Sequence, residues 1–214
     1  MTWIKFACIL IACVYIEPTT GFVPPDPACG TTRTCWPAEC PNTGCNDFQI
    51  SWWNTNSGYL RFQMRVDYAV QGEHYIALGF SANKQMADSS IVMCRSDANV
   101  ELGYTPAERR YLSRPNFTGL RNTSFNVTNT ITTCWFDRII EPSESEMRTL
   151  TNSFYLLRAW GPVENGAPAQ HAARGSSADT FAYPTQVAAG HSVFPATTTI
   201  GGGLVMSLLI LLLP

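Results

Sequence analysis

The sequence predicts an all-β domain, an antiparallel β-sandwich, and three observations carry that prediction. Residues 59–68 alternate cleanly, with Leu60, Phe62, Met64, Val66 and Tyr68 on one side and Arg61, Gln63, Arg65 and Asp67 on the other. A period of two is the pattern of a strand buried on one face. Further short runs at 47–53, 75–80, 90–95, 131–139 and 153–160 are rich in apolar, β-branched and aromatic residues, a length that suits strands better than helices. Connections such as Asn54-Thr55-Asn56-Ser57-Gly58 and Gln71-Gly72-Glu73 supply the turns between them. Only residues 141–150, Glu141 to Leu150 with Pro142 in the first turn, read as a short helix.

The two ends read as processing segments. Residues 1–21 carry Lys5, an apolar run from Phe6 to Ile16 and then small residues, the order of a secretory signal peptide cut after Gly21. That run is well short of the roughly 20 residues a membrane span requires, which weighs against a retained anchor. Residues 200–214, IGGGLVMSLLILLLP, end without a basic flank. Upstream, the linker and attachment region at 185–199 holds the small triplet Ala188, Ala189 and Gly190 and a spacer from His191 to Thr199. This is the layout of a glycosylphosphatidylinositol (GPI) signal with Ala188 as attachment residue; a short tail anchor is the competing reading. The expected location is the outer face of the plasma membrane.

An oxidising compartment decides how the cysteines read. Cys8 and Cys13 leave with the signal peptide, and six remain. Cys29, Cys35, Cys40 and Cys45 crowd the N-terminal segment at 22–46, whereas Cys94 and Cys134 stand alone in apolar runs. The separation predicts two local bridges near the N-terminus and a Cys94–Cys134 bridge across the core. A zinc site built from the four clustered cysteines competes, but it lacks Cys-x-x-Cys spacing.

Three glycosylation sequons, at Asn116, Asn122 and Asn126, fall within 13 residues of a polar stretch. They mark a solvent-facing loop or edge, away from any working surface.

Charge and motifs exclude several functions. The 14 basic and 16 acidic residues give a net charge of −2, and no Lys/Arg run exceeds two residues, which speaks against nucleic acid as a partner. Gly-x-Ser-x-Gly, His-Glu-x-x-His and phosphate-loop patterns are absent. Histidine is confined to His74, His171 and His191. His74 reads as an exposed strand-end residue, and His171 lies in the loop after Trp160, where ligand-holding residues concentrate. Met64 and Met93 read as core, but Met86 sits in the polar loop 81–88 with no periodicity to bury it. An imidazole and a thioether brought to one end of a sandwich form a haem-iron ligand pair.

Several ordered segments resemble one family: Cys29-Gly30-Thr31-Thr32-Arg33-Thr34-Cys35 with Cys40 and Cys45; Tyr75-Ile76-Ala77-Leu78-Gly79-Phe80-Ser81 with Met86, Met93 and Cys94; Cys134-x-Phe136-x-Arg138; and Leu156-Leu157-Arg158-Ala159-Trp160-Gly161-Pro162 with His171. Together they are similar to DOMON domains, especially the extracellular module of ferric-chelate reductase-like proteins, over residues 29–184. The resemblance implies an immunoglobulin-like sandwich which, in cytochrome-type members, holds one haem b between a Met and a His, here Met86 and His171. It also implies electron relay with a redox partner or membrane protein at the cell surface rather than a stand-alone enzyme. Phe80, Trp160 and Phe181 are the aromatics expected along the haem slot. Some members are haem-free modules that bind carbohydrate or a membrane protein, and that alternative stays open at this point.

Overall fold

The computed structural model describes residues 22–41, 44–68, 72–97, 99–107, 111–116 and 118–183. The signal peptide expected at 1–21, and Ala188 with the rest of the segment expected at 185–214, lie outside the described residues.

All regular structure among those residues is β, as the period-two patterning predicts. The strands are β1 (Phe22–Val23), β2 (Thr34–Trp36), β3 (Cys45–Asn46), β4 (Phe48–Asn54), β5 (Tyr59–Asp67), β6 (His74–Ser81) and β7 (Ser89–Arg95). They continue as β8 (Val100–Thr105), β9 (Leu112–Ser113), β10 (Leu120–Thr128), β11 (Ile131–Ile139), β12 (Tyr155–Glu164), β13 (Ala167–Pro168) and β14 (Ala173–Ser176). One antiparallel sheet has the order β10-β11-β5-β4-β2, and the other runs β13-β12-β6-β7-β8-β9 with β14 also paired to β12. A β1-β3 ribbon completes the set.

The core fills the space between the sheets. Strand β5 buries Leu60, Phe62, Met64 and Val66 and leaves the intervening residues half-exposed. Phe62 stacks on Phe136 of its own sheet at 5.3 Å and meets Phe80 of the facing sheet edge-on at 5.4 Å; such pairs add about 0.5–1.5 kcal/mol each beyond burial. A Cys94–Cys134 disulfide ties β7 to β11, and Cys29–Cys35 and Cys40–Cys45 close two local loops. The bridge across the core and the two local bridges follow the spacing argument.

Two expectations are corrected. Residues 141–150 form turns and bends rather than a helix. Met147 N reaches back only three residues, to Glu144 O, and Leu150 N donates to Ile140 O at 2.9 Å, so the segment closes as a loop with Met147 and Leu150 pinned in the core. His74 is buried rather than exposed: its Nε2 lies 3.0 Å from Thr132 Oγ1 of the facing sheet and its Nδ1 3.2 Å from Gly72 O.

What positions the site is β6, buried along its whole length. Ile76, Leu78 and Phe80 enter the main core, while Tyr75 and Ala77 join Ile91 and Met93 in a second cluster on the outer face. A strand covered on both faces shows no alternation, which is why 75–80 reads as an unbroken apolar run.

Candidate functional site

The outer face of β6, β7 and β12 floors a cavity of about 880 Å³. Its apolar base is Ala77, Ile91, Met93, Leu157 and Ala159. Two loops and Tyr111 wall it in, and the two loops carry Met86 and His171.

The Met86 loop connects β6 to β7 and is tied by short polar side chains. The Ser81 hydroxyl donates to Gln85 O at 2.9 Å, the Ser89 hydroxyl donates to the same carbonyl at 3.1 Å, and Gln85 N donates to Asn83 Oδ1 at 2.8 Å. Ser and Asn side chains that bond nearby backbone fix such turns. Met86 is half-buried and packs against the outer cluster, so a loop without periodicity still delivers its thioether to the sheet.

His171 sits in a broken edge strand. After β12 the chain reverses through Asn165 and Gly166, both at positive φ (52° and 73°), the conformation of a tight hairpin turn. Strand β13 pairs with Val163 and Glu164, and β14 pairs with residues 157–160 of the same β12. In between, Ala169 N donates to Pro162 O at 3.0 Å and Ala172 N to Trp160 O at 2.9 Å, leaving Gln170 and His171 bulged opposite Gly161. A Cβ on Gly161 would come within 3.0 Å of Gln170 O and of His171 Cα, so any side chain there would press the bulged backbone outward.

His171 Nδ1 lies 3.2 Å from the Tyr75 hydroxyl, which also donates to Ala169 O at 3.2 Å. Burial lowers the imidazole pKa below its usual 6.5, and the charge of Arg174 adds to the effect. Burial, with Tyr68 contributing, pushes the Tyr75 phenol up to about 12. Lys84, Arg158 and Arg174 also line the cavity, and no carboxylate does among the described residues. Arg158 stacks its guanidinium over Phe48 and Trp160 at 3.8 and 4.7 Å.

Met86 and His171 are thus brought to one cavity. The expected aromatic lining is not: Phe80 and Trp160 are buried between the sheets, Phe181 packs against that same core, and none of the three borders the cavity. Met93 is buried as expected, although on the outer rather than the inner cluster. Asn116, Asn122 and Asn126 are solvent-exposed, the last two on edge strand β10. Sequence reasoning gave no role to Tyr75, Gly161 or Arg174, although the first two stand in the segments that carry the resemblance: a tyrosine opening an apolar run, a glycine before proline and an arginine in a short edge segment do not by themselves indicate a site.

The DOMON domain profile matches residues 44–161, a segment that contains Met86 and stops short of His171. Over 159 residues the chain is 29% identical to the putative ferric-chelate reductase 1 of Danio rerio, covering 71% of this chain and 26% of that protein. Over 150 residues it is 27% identical to the DOMON domain-containing protein FRRS1L of Mus musculus and 26% identical to that of Homo sapiens, covering 67% of this chain and 49% of each relative. The chain therefore spans about a quarter of the reductase and about half of FRRS1L. With a profile match over more than half its length and an all-β, two-sheet architecture, the chain belongs to the DOMON domain family.

Proposed function

We propose that this domain binds one haem b in the outer-face cavity, where Met86 and His171 would hold its iron, and relays single electrons at the outer cell surface from a lipid anchor. The observation that carries the reading is that these two side chains, from loops far apart in sequence, line a single cavity. Its volume of about 880 Å³ lies in the range of cofactor pockets, roughly 300–1,000 Å³. The donor chemistry fits: a neutral imidazole and a soft thioether suit haem iron. Ala77, Ile91, Met93, Leu157 and Ala159 offer an apolar bed for a flat ring, and Lys84 and Arg174 offer cations for its carboxylates. Haem held by this pair would supply one-electron redox chemistry, at a potential that the thioether raises. The chain's own part is to hold two ligands on loops braced by the sheet, to keep His171 neutral, and to cover the bed with the segment at 167–171.

The test is an oxidised-minus-reduced visible spectrum of the chain secreted with haem available. Low-spin b-type bands are expected, abolished by His171→Ala and altered in Met86→Ala. A folded, colourless protein, or bands unchanged in both variants, would overturn the assignment and leave a haem-free binding module.

A further inference from the structure

The hydroxyl of Tyr75 has one proton to donate and two neighbours within 3.2 Å: the carbonyl of Ala169, which only accepts, and Nδ1 of His171. The phenol proton therefore goes to Ala169 O, and the bond to His171 is made the other way, with Nδ1–H donating into the Tyr75 oxygen. In a neutral imidazole one nitrogen carries the proton and the other holds a lone pair, so this arrangement leaves Nε2 bare. Burial and Arg174 favour that neutral form.

The backbone explains why Tyr75 can reach. Its cross-strand partner on β12 is Gly161, the residue whose missing side chain lets the bulge close in. The Tyr75 side chain, 2% exposed, reaches with its hydroxyl to residues 169 and 171 on the far side of β12. One glycine thus admits the histidine backbone at the position paired with the tyrosine that bonds it.

We propose that Tyr75 is a positioning residue that locks His171 in the Nδ1–H tautomer, leaving Nε2 as the nitrogen available to a metal centre. The benefit to haem rests on the cytochrome reading above, but the tautomer itself does not, and the experiment separates them. In the full chain expressed through a secretory host, isotopically labelled and haem-free, long-range ¹H–¹⁵N spectra at mildly alkaline pH should give His171 a protonated Nδ1 and a bare Nε2. Tyr75→Phe, which keeps the ring and loses only the oxygen, should shift the population toward Nε2–H with little change in Tm. Hemin titration should then lose about 10–100-fold in affinity, the usual effect of removing the group that orients a metal-binding histidine. A wild-type His171 carrying its proton on Nε2, or a tautomer unmoved by Tyr75→Phe, would overturn the proposal. If the tautomer responds and neither protein takes up hemin, the positioning role of Tyr75 stands and the haem reading falls.

Discussion

At His171, the lowered pKa fixes how the site responds to acid. In the fold, burial and the charge of Arg174 make the imidazole take up its proton at a lower pH than in the unfolded chain, which does so near 6.5. The histidine's contribution to stability is therefore complete above about pH 6.5 and is lost as pH falls from there through the folded pKa. On the proposed haem reading, capture of iron by Nε2 would follow the folded value, because iron competes with the proton only below it. Hemin affinity should hold level from about pH 8 to about pH 6.5 and then fall, approaching tenfold per pH unit once His171 is protonated; titration across this range checks it, and a decline beginning well above pH 6.5 would contradict a depressed pKa. Arg138 is the other exceptional residue: wholly buried, it bonds Ser90 Oγ at 3.1 Å and Arg148 O, lies over the Phe80 ring at 4.3 Å, and is pulled down to about 9 by burial. Its place in the Cys134-x-Phe136-x-Arg138 pattern was legible in the sequence. Its burial was not, since alternation along β11 assigns a face but not what the facing sheet brings to it.

Among the elements, the broken edge strand formed by β13 and β14 depends most on a single residue. Gly161→Ala puts a methyl group 3.0 Å from backbone atoms of Gln170 and His171, and backbone yields less readily than a side-chain tip. The variant should fold with a loss of about 1–3 kcal/mol, the usual cost of overpacking, and, if haem binds as proposed, weaken hemin binding disproportionately, because the displaced residue is the proposed iron ligand. Denaturant melts paired with hemin titration check this; equal binding at lower stability would mean that the bulge tolerates the shift without moving His171. Strands β5 and β11 could be read from the chain because one buried face imposes a period of two. β8 (Val100–Thr105) and β10 (Leu120–Thr128) could not. The β10 sequence Leu-Arg-Asn-Thr-Ser-Phe-Asn-Val-Thr is polar and exposed, and it is a strand because β11 offers it a ladder. Residues 141–150 mislead in the opposite sense, since Met147 and Leu150 have helical spacing but the Ile140 carbonyl captures the Leu150 amide.

For the molecule as a whole, the Cys94–Cys134 bridge is, among the described residues, the disulfide that joins the two sheets, which otherwise meet through packing and a few polar contacts. It joins residues 40 apart in sequence, and losing such a cross-link typically costs roughly 2–4 kcal/mol. The Cys94→Ala/Cys134→Ala double variant should lower Tm by about 5–15 °C. A drop of only a degree or two, read by calorimetry, would mean that the aromatic core holds the sheets unaided. The sandwich also divides its surfaces: Asn122 and Asn126 belong to the sheet of β10, whereas the cavity opens on the outer face of the other sheet. Which sheet carried each could not be read from the chain, because assignment to a layer depends on pairings distant in sequence. Finally, among the described residues β13 and β14 are joined to the sheet along one side, by β12. An edge held on one side opens at lower free energy than a strand in the interior, so the residence time of a ligand beneath this edge should follow how long the hydrogen bonds from the Ala169 and Ala172 amides persist. Departure would need no parting of the two sheets, and a tightly folded domain could still exchange its ligand quickly.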